Sequence, residues 1–560
     1  MTNDGRGSGA GSIIRGFPST MGDDHPLNVP SLMRHAARTF GEQEIVYRRS
    51  GAGFDRCTYR QCYERICRGA QALRSIGVGP GDRVGVLDWN GRRYFELYCA
   101  IPAIGAVLLQ LNLRLNPEEL GFILAHSGAS VLCVDESLLP LAEALAPGAP
   151  GVKAWVVMSD RAPEEIVSSL RPSHHYEQLL AAATADFEWP LIDERSAYAA
   201  AYTSGTTGRP KGVYYSHRSA YLHALSASLG LGLSLEDTML MLTPMYHAQG
   251  WGLPQTGPLC AAKLVLPGRY STEDIGFIVD TMIAEEVTVA SCVPSLLLAM
   301  LAHIERMPQK PDFGRLRLLC GGAQPPLAAM LRFEELTGGV VMQAYGATET
   351  SPLVAINRAK PSLRKRLSAD ARLALRTAQG LPSTGVDIKI LDAEDRELPH
   401  DGKSVGEICV RGPWCTTSYH ELPAGEARFI GGYWRSGDVG CIDPHGYIKL
   451  TDRLKDVIKS GGEWISSIDM ENALVAHPAV AEAVVVGIPH PKWDERPLAL
   501  VVLKAGAVTS DEALREHLLG QFAKWQLPDQ IRFVERIAKT SVGKLDKKLV
   551  RAEYATLYSA

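Results

Sequence analysis

The segment between residues 202 and 213 has the composition expected of a polyphosphate-binding loop. It reads YTSGTTGRPKGV, so that hydroxyl side chains, glycines and one lysine follow one another closely between two strand-like segments. Glycines let the backbone approach a ligand, and successive N–H groups can then surround an anion. It is not the common GxxxxGK[ST] loop, and a Ser/Thr/Gly surface turn is the alternative interpretation. The residues expected at phosphate are Thr203, Ser204, Gly205, Thr206, Thr207, Gly208 and Lys211.

A second motif offers a metal ligand and an aromatic ring. The residues from Tyr345 to Thr350 read YGATET and follow a strand-like segment at 339–343. The carboxylate of Glu349 is a hard oxygen ligand suited to Mg²⁺, which usually arrives with nucleotide phosphates. The Tyr345 ring can stack on a base. Alone the motif could simply begin a helix, but together with the first loop it predicts a nucleotide site.

A third motif gives the pattern a family resemblance. The residues from Asp452 to Ser466 read DRLKDVIKSGGEWIS. With the first two motifs, this segment resembles the acyl-adenylate-forming (AMP-binding) superfamily, in particular its medium- and long-chain fatty acyl-CoA synthetases. The resemblance implies that Tyr345 packs on adenine, that Thr348 meets the α-phosphate and that Glu349 and Thr203 hold Mg²⁺. It also implies ATP or AMP contacts from Gly322, Gln343, Ala344, Gly346, Asp438, Arg453, Lys455, Lys459 and Trp464.

The same resemblance assigns roles to the parts of the chain around the third motif. Asp438, interpreted as part of a glycine-rich turn before a strand, would accept from the ribose hydroxyls; a turn aspartate satisfied by its own backbone is the alternative. Lys455 matches a hinge on which a small domain swings. Gly461 and Gly462 would let the backbone line a narrow tunnel for the CoA thiol. Lys544 matches the catalytic lysine, although Ala538 stands where the family usually has proline.

The acyl pocket is expected from three further segments. The residues 245–251 read MYHAQGW, and the resemblance places His247 near the reacting carboxylate, with a purely structural histidine as the alternative. Leu297 stands where some relatives have an aromatic gate, so that a widened channel is predicted. The full set of expected pocket residues is His247, Trp251, Val293, Leu297, Gly321, Gly322 and Ala323.

Strands alternating with helices must position these residues. The alternation begins near residue 44 and predicts doubly wound sheets, while the chain becomes β-rich after Val386. The predicted fold is α/β: a disordered tail at 1–25, a large ATP- and acyl-binding domain at 26–452 with a distorted β-barrel, and a small mobile α+β domain at 453–560. The basic amphipathic segment 361–376 predicts one helix, with a solvated face favoured over a membrane surface.

Composition limits the remaining possibilities. The 58 basic and 62 acidic residues nearly cancel, which argues against a nucleic-acid partner. Eleven cysteines without a metal-binding spacing indicate buried reduced thiols in a cytoplasmic protein. No apolar segment reaches the length of a membrane span. A homodimer is a further expectation.

The sequence therefore predicts an ATP-dependent acid–CoA ligase. A carboxylic acid, expected to be a medium- or long-chain fatty acid or another bulky apolar acid, would form acyl-AMP and then the CoA thioester. The small-molecule acid, ATP, Mg²⁺ and coenzyme A are the expected substrates and cofactor. An aryl, alicyclic or dicarboxylic acid ligase, adenylation for a carrier protein, and a nucleotide-binding regulator on the same fold are the alternatives.

Overall fold

The computed structural model describes residues 14, 16–22, 24–49, 53–203, 209–422, 428–454, 456–461, 463–539 and 545–558, with the backbone alone at 463 and 464. The α-helices are α1 (Val29–Thr39), α2 (Tyr59–Ser75), α3 (Arg92–Ala103), α4 (Pro117–Ser127), α5 (Leu139–Leu145), α6 (Tyr176–Ala182), α7 (His217–Leu231), α8 (Leu253–Cys260), α9 (Ile275–Ala284), α10 (Pro294–Arg306), α11 (Leu327–Thr337), α12 (Pro361–Arg364), α13 (Ala369–Arg376), α14 (Ser467–Ala476), α15 (Asp511–Leu519) and α16 (Lys547–Glu553).

The strands are β1 (Glu44–Arg48), β2 (Phe54–Thr58), β3 (Arg83–Leu87), β4 (Val107–Gln110), β5 (Ala129–Asp135), β6 (Ala154–Met158), β7 (Ser173–His175), β8 (Ala197–Tyr202), β9 (Gly212–Ser216), β10 (Thr238–Leu240), β11 (Lys263–Leu266), β12 (Val289–Cys292), β13 (Arg317–Gly321), β14 (Val340–Gly346), β15 (Leu353–Ile356), β16 (Leu381–Pro382), β17 (Asp387–Leu391), β18 (Gly406–Arg411), β19 (Phe429–Ile430), β20 (Tyr433–Ile442), β21 (Ile448–Arg453), β22 (Ile458–Ser460), β23 (Glu463–Ile465), β24 (Val480–His490), β25 (Asp494–Leu503) and β26 (Gln530–Phe533).

Two large sheets form the first part of the chain. The seven-stranded sheet has the order β7-β6-β5-β3-β4-β8-β9, and the nine-stranded sheet the order β16-β15-β14-β13-β12-β10-β11-β1-β2. Their inner strands are parallel and nearly continuous in apolar residues because helices cover both faces. In β8, for example, Ala199 and Ala201 join one core cluster, while Ala200 and Tyr202 join another. Strand β9 closes the edge as an antiparallel partner of β8, so that the phosphate loop leaves the sheet there.

Helix ends near the site follow ordinary capping chemistry. The Asn116 side chain accepts from the backbone N–H of Glu119, which returns the interaction to form a capping box at the start of α4. The Ser216 side chain accepts from the backbone N–H of Ser219, as the sequence predicts for a helix beginning near His217. Both caps fix the direction in which α4 and α7 leave the loops around the site.

Two smaller sheets follow. The first, in the order β17-β18-β20-β19 with β21 paired to β20, is antiparallel and curled. The second, in the order β23-β22-β25-β24 with β26 parallel to β25, carries its own apolar core of α14, α15 and the two long central strands. The expected α/β class, with two doubly wound sheets, a curled antiparallel sheet and a separate α+β unit, is confirmed.

Several local expectations need correction or stay open. The segment 361–376 forms two helices rather than one, because the Ser368 side chain accepts from the Ala371 N–H and starts α13 anew. Residues 434–440 are not a turn before a strand but part of β20 itself. Among the described helices, none has the length and apolar character needed to cross a bilayer. The disordered tail and the domain boundaries stay predictions, although residues 16–22 are exposed and form neither helix nor strand.

Candidate functional site

A cavity of about 1080 Å³ brings together twelve of the predicted site residues, a majority of those that the structure describes. The large domain contributes the C-terminal ends of its strands, the start of α8 and the chain around residue 420, and the curled sheet contributes β20 and β21. The predicted residues on its walls are Thr203, Lys211, His247, Trp251, Gly322, Ala344, Tyr345, Gly346, Thr348, Glu349, Asp438 and Arg453.

Three of these residues form a hydrogen-bonded inner cluster, defined as Tyr345, Asp438 and Arg453. The Tyr345 hydroxyl donates to Asp438 Oδ2 at 2.7 Å, and Arg453 Nε lies 3.2 Å from Asp438 Oδ1. The Asp438 side chain is only 10% exposed, whereas that of Arg453 is 49% exposed. Burial and then the neighbouring carboxylate raise the pKa of Tyr345 well above its usual range. The tyrosine therefore stays protonated and keeps donating to Asp438.

An irregularity in β20 aims Asp438 into the cavity. Opposite β18, the register shifts between Glu407, which pairs with Val439, and Cys409, which pairs with Arg435. The extra residues on β20 bulge at Gly437, whose φ of +72° is the left-handed conformation that favours glycine. On the other side of the strand, Asp438 pairs directly with Arg453 of β21. The bulge therefore sets the carboxylate beside the guanidinium and turns both toward the same wall.

A second group of contacts surrounds Glu349. The Tyr419 hydroxyl donates to Glu349 Oε1 at 2.8 Å and accepts from Trp434 Nε1 at 3.0 Å. Lys211 Nζ lies 5.0 Å from the centroid of the Tyr419 ring, so that a cation and a carboxylate border the same aromatic side chain. Loss of solvent raises the pKa of Glu349. Burial alone therefore disfavours the charged form of this carboxylate, and a cation bound beside it would favour that form.

The described ends of the phosphate loop are tied to each other. The Thr203 N–H donates to the Lys211 carbonyl at 3.0 Å, and the Lys211 N–H donates to Thr203 Oγ1 at 3.3 Å. This pairing joins the two described ends of the loop, and both Thr203 and Lys211 line the cavity. The predictions for Ser204, Gly205, Thr206, Thr207 and Gly208 lie outside the described residues.

The carboxylate end of the predicted acyl pocket is built on a left-handed turn. The residues 248–252 all have positive φ, from +44° at Ala248 to +79° at Gly252, and this turn directs His247 and Trp251 to the cavity. The Trp251 indole packs closely over Gly321. A Cβ at that glycine would lie only 3.0 Å from Trp251 Cη2. Beyond the indole the uncharged lining residues contributed by α7, α8, β12, β13 and β15 are Ala227, Leu231, Leu253, Thr256, Ser291, Leu319 and Leu353.

Five of the predicted and described site residues before residue 453 do not line this cavity. Gly321 is buried at the end of β13, beneath the Trp251 indole. Leu297 is fully buried in α10 within a separate core cluster, and Val293 packs against that cluster as the residue before the helix. The expectation that position 297 borders the acyl channel is therefore corrected, because α10 turns this face toward the sheet core. Ala323 is exposed outside the cavity, and Gln343 is buried below it with an Oε1 that has no hydrogen-bond partner among the described residues.

The predicted residues after Arg453 lie elsewhere. Lys459 is exposed on β22, where its N–H donates to Glu495 Oε2 at 3.0 Å, and Gly461 has a φ of +62° with its N–H donating to the Trp493 carbonyl at 2.9 Å. Neither lines the cavity in this arrangement. The predictions for Lys455, Gly462, Lys544 and the Trp464 side chain lie outside the described part of the chain.

Sequence reasoning missed two sets of cavity residues. Tyr419 is the partner that orients Glu349, and its only sequence signal is an aromatic residue within the polar segment TTSYHE. The apolar wall on α7 and α8 has no motif at all, because any amphipathic helix offers residues of this type. Their role comes from how the helices pack, not from residue spacing.

Comparison with known proteins identifies the family of the chain. The model of the AMP-binding enzyme family matches residues 33–420, and that of the AMP-binding enzyme C-terminal domain matches residues 469–544. A long-chain-fatty-acid–CoA ligase of Thermus thermophilus is 44% identical over 98% of this chain and 99% of its own length. A 3-methylmercaptopropionyl-CoA ligase of Ruegeria lacuscaerulensis is 39% identical over 94% of this chain and 97% of its own length. The ATP-bound structure of MatB from Rhodopseudomonas palustris has a TM-score of 0.80 at 24% identity, covering 95% of this chain and 100% of that one.

The fold and the cavity thus define an adenylate-forming enzyme, and the chain belongs to the AMP-binding enzyme family. The expected class of activity is confirmed: this is an AMP-forming acid–CoA ligase that uses ATP and CoA. The non-enzyme alternative, a nucleotide-binding regulator on the same fold, is accordingly set aside.

Proposed function

We propose that the protein activates an apolar monocarboxylic acid, of medium or long chain or with a comparable bulky body. The observation that carries this proposal is the joining of two chemically different surfaces in one cavity, a polar wall around Asp438 and an uncharged wall from α7, α8, β12, β13 and β15. The named activity of the Thermus relative, a long-chain-fatty-acid–CoA ligase, supports the same substrate class. A dicarboxylic acid is less well matched, because those five elements contribute no lysine or arginine to the lining.

The inner cluster is proposed to hold the nucleoside of ATP. Tyr345 and Arg453 each contact one oxygen of Asp438, and because each carboxylate oxygen can accept more than one hydrogen bond, both can still accept from neighbouring ribose hydroxyls. Arg453 Nε lies 3.2 Å from Oδ1 of this carboxylate and adds a positive charge beside it. The Tyr345 ring then offers its face to the adenine, with Gly322, Ala344 and Gly346 as backbone around the base and Thr348 beside the α-phosphate.

Glu349 and Thr203 are proposed to hold Mg²⁺. Both present oxygen to the cavity, and the charged carboxylate of Glu349 is the kind of ligand that this ion prefers. Mg²⁺ supplies charge neutralisation to the phosphates when it is bound. Tyr419 orients the carboxylate through Oε1, while Lys211 adds a positive charge on the same wall.

The reaction is proposed to proceed in two half-reactions. An oxygen of the substrate carboxylate, near His247, attacks the α-phosphorus of ATP; an O–P bond forms, and the bond to pyrophosphate breaks. The thiol of CoA then attacks the acyl carbon, loses its proton, and expels AMP to leave the thioester. Trp251 and the uncharged wall hold the acyl body through both steps by excluding water.

The second unit is proposed to serve these steps in turn. Lys459 and Gly461 lie away from the cavity, so that a movement of the segment after Arg453 would be needed to bring them to it. Such a swing of residues 453–560 about Lys455 agrees with the motif resemblance, which also assigns Lys544 to adenylation and the Gly461-Gly462 pair and Trp464 to CoA and nucleotide contacts.

A cytoplasmic location is also proposed. All eleven cysteines carry free thiols and nine of them are buried, which suits a reducing compartment. A homodimer stays a prediction.

Isotope transfer tests the proposed reaction. Acid labelled with ¹⁸O in its carboxylate is incubated with the protein, ATP, Mg²⁺ and CoA, and the products are analysed by mass spectrometry. One labelled oxygen should appear in AMP and none in pyrophosphate, since the attacking oxygen remains on the phosphorus. Unlabelled acid in ¹⁸O-water is the control and should leave AMP unlabelled. Label in pyrophosphate, or ADP as the product, would contradict the proposal. A ladder of acids of increasing length then defines the acyl group.

A further inference from the structure

Two histidines and a glutamate converge at one side of the cavity, apart from the proposed nucleotide wall. His126 lies near the C-terminal end of α4, whereas His420 and Glu421 follow Tyr419 in the chain. One imidazole nitrogen from each histidine and one carboxylate oxygen of the glutamate lie within 4.8 Å of one another, and all three side chains line the cavity. The site built from the family motifs uses none of them.

The distances fit one ion between the three side chains. His126 Nε2 lies 4.0 Å from Glu421 Oε2, and His420 Nε2 lies 3.9 Å from Glu421 Oε1. Ligand bonds of about 2.0–2.1 Å in a tetrahedron separate the donor atoms by about 3.3–3.5 Å. Small side-chain rotations that shorten these separations by up to about 1.5 Å would therefore close the arrangement around an ion. The Glu421 side chain, which is 66% exposed, is free to make most of this movement.

The histidine on α4 is already oriented by a neighbour. His126 Nδ1 lies 2.9 Å from the Tyr202 hydroxyl, so that an Nδ1–H donated to this oxygen leaves Nε2 as the acceptor that faces Glu421. Metal-binding histidines usually have their second nitrogen held in this way. The ring of His126 also packs against Phe122, with centroids 5.1 Å apart.

The histidine after Tyr419 is held by its backbone and its ring. The His420 N–H donates to the Gly212 carbonyl at 2.9 Å, and its imidazole lies 4.6 Å from the Tyr214 ring. Glu421 has a φ of +52°, an uncommon conformation for a residue with a side chain, and this backbone turn points its carboxylate back toward the two rings.

We propose that His126, His420 and Glu421 form a site for a divalent transition-metal ion of the Zn²⁺ class, separate from the Mg²⁺ site at Glu349. Imidazole ligands favour this class of ion over Mg²⁺, and the single carboxylate offsets part of its charge. Because three protein ligands leave one tetrahedral position open, that position is available to water or to an anionic oxygen in the cavity. A bound ion would join α4 to the chain segment that carries Tyr419.

Competition with a chromophoric chelator tests this site directly. The full-length protein, freed of metal and kept in excess Mg²⁺ without nucleotide, is titrated with Zn²⁺, and Co²⁺ is used in parallel because its visible spectrum reports the ligands. One equivalent of Zn²⁺ should bind. The affinity should fall by about 10–100-fold or more in His126→Ala, in His420→Ala and in Glu421→Gln, since each removes a ligand. Tyr202→Phe, which keeps all three ligands, should weaken binding by about 10-fold through the lost orientation of His126.

A second histidine pair supplies the matched control. The rings of His477 and His517 lie 5.2 Å apart at 84°, much like the 5.2 Å and 83° of His126 and His420. No carboxylate completes that pair among the metal-ligand groups found in the described residues. His477→Ala should therefore leave Zn²⁺ binding unchanged. Thermal unfolding of each metal-free variant identifies any variant that fails to fold. Because the three ligands lie on two separate chain segments, a folding defect in one segment still leaves the other as a test. Absence of a one-equivalent site in the wild-type protein, or equal loss of affinity in His477→Ala, would overturn the proposal; this outcome is independent of the ligase activity.

Discussion

The curled sheet carries a second tyrosine–aspartate–arginine cluster that matches the inner cluster in composition but not in surroundings. In this outer cluster, defined as Tyr433, Asp387 and Arg411, the tyrosine hydroxyl and the guanidinium both contact Asp387 Oδ2 at 2.6 Å. The Asp387 side chain is 54% exposed, against 10% for Asp438, and none of the three residues lines the cavity. The two clusters therefore share their residue types but differ in solvent exposure and in access to the cavity.

The difference lies in how each carboxylate is shared. Both partners of Asp387 meet at one oxygen on the open face of the sheet, where solvent competes for the pair and lowers its contribution. Tyr345 and Arg453 instead take different oxygens of Asp438 inside a cavity. Removing one partner of such a buried group leaves a hydrogen bond unsatisfied and lowers the stability of the protein. Because the group lies in the wall of a cavity, it can also accept a hydrogen bond from a ligand. Residue types thus identify a site only when burial and access are added.

The largest effect is expected at Glu349, beside the inner cluster. Glu349→Gln keeps the shape but removes the charge proposed to hold Mg²⁺, and the rate of acyl-AMP formation should fall by about 10²–10³-fold. Acid-dependent exchange of labelled pyrophosphate into ATP at several Mg²⁺ concentrations is the measurement. The control is Glu285→Gln, a buried glutamate paired with Lys263 and Arg56 outside the cavity. It should lower stability without changing the Mg²⁺ dependence; an equal loss in both variants would remove the special role of Glu349.

The next effect separates the two tyrosines. Tyr345→Phe keeps the ring but deletes the hydroxyl that donates to a buried carboxylate, so KM for ATP should rise by about 10-fold or more. Tyr433→Phe makes the same deletion at the exposed Asp387 and should change KM for ATP by less than about twofold. Steady-state kinetics with ATP varied at saturating acid and CoA decide between them. Similar values for the two variants would place the adenosine elsewhere.

A smaller change is expected in the choice of acid. Trp251→Ala removes the indole from the cavity wall, and kcat/KM should shift toward longer or bulkier acids by up to about fourfold for each added CH₂ that becomes buried. Leu297→Trp, in contrast, overfills a fully buried core position. It should cost about 1–3 kcal/mol of unfolding free energy and leave the relative rates for different acids unchanged. A changed acid preference in Leu297→Trp would restore this position to the acyl channel.

The smallest effect is the pH dependence of the outer cluster. The hydrogen bond from Tyr433, followed by the charge of Arg411, holds the pKa of Asp387 below its ordinary value of 3.8. A depressed pKa in the folded state stabilises the protein above the unfolded pKa and loses this contribution as the pH falls below it. Asp387→Asn should therefore lower the unfolding free energy by at most about 1 kcal/mol at pH 6, with the difference shrinking toward pH 3. Denaturant unfolding at both pH values measures it, and a difference that grows on acidification would contradict the sign.

The sequence predicted the elements well where apolar periodicity and capping act locally. Strand β1 begins at Glu44, where the alternation is expected to begin, and the Ser216 side chain caps α7 as the sequence predicts. It could not distinguish the turn expected at residues 434–440 from β20, because the bulge at Gly437 depends on pairing with β18. A glycine followed by a polar residue occurs both in turns and in bulged strands, so that this pattern does not distinguish them.

Several residues of the motifs line one cavity, whereas position 297 does not, and the functional roles of the predicted residues stay predictions. Tyr345, Glu349 and Asp438 meet in one cavity because each closely follows, or lies in, a strand of fixed direction. Leu297 was assigned by analogy to a pocket segment, but which face of α10 meets the cavity depends on tertiary contacts with the neighbouring sheet and helices. Tyr419 and His420 come from an irregular segment, for which no periodic pattern gives a direction.

The central claim is that the inner cluster, and not its outer counterpart, holds the nucleoside. Equilibrium binding of ATP with Mg²⁺, measured by titration calorimetry in the absence of acid and CoA, tests it most directly in two matched variants. Asp438→Asn should raise Kd for ATP by at least about tenfold, because hydrogen bonds to a charged acceptor are lost. Asp387→Asn should bind ATP like the wild-type protein. An unchanged Kd in Asp438→Asn, or an equal increase in Asp387→Asn, would contradict the account.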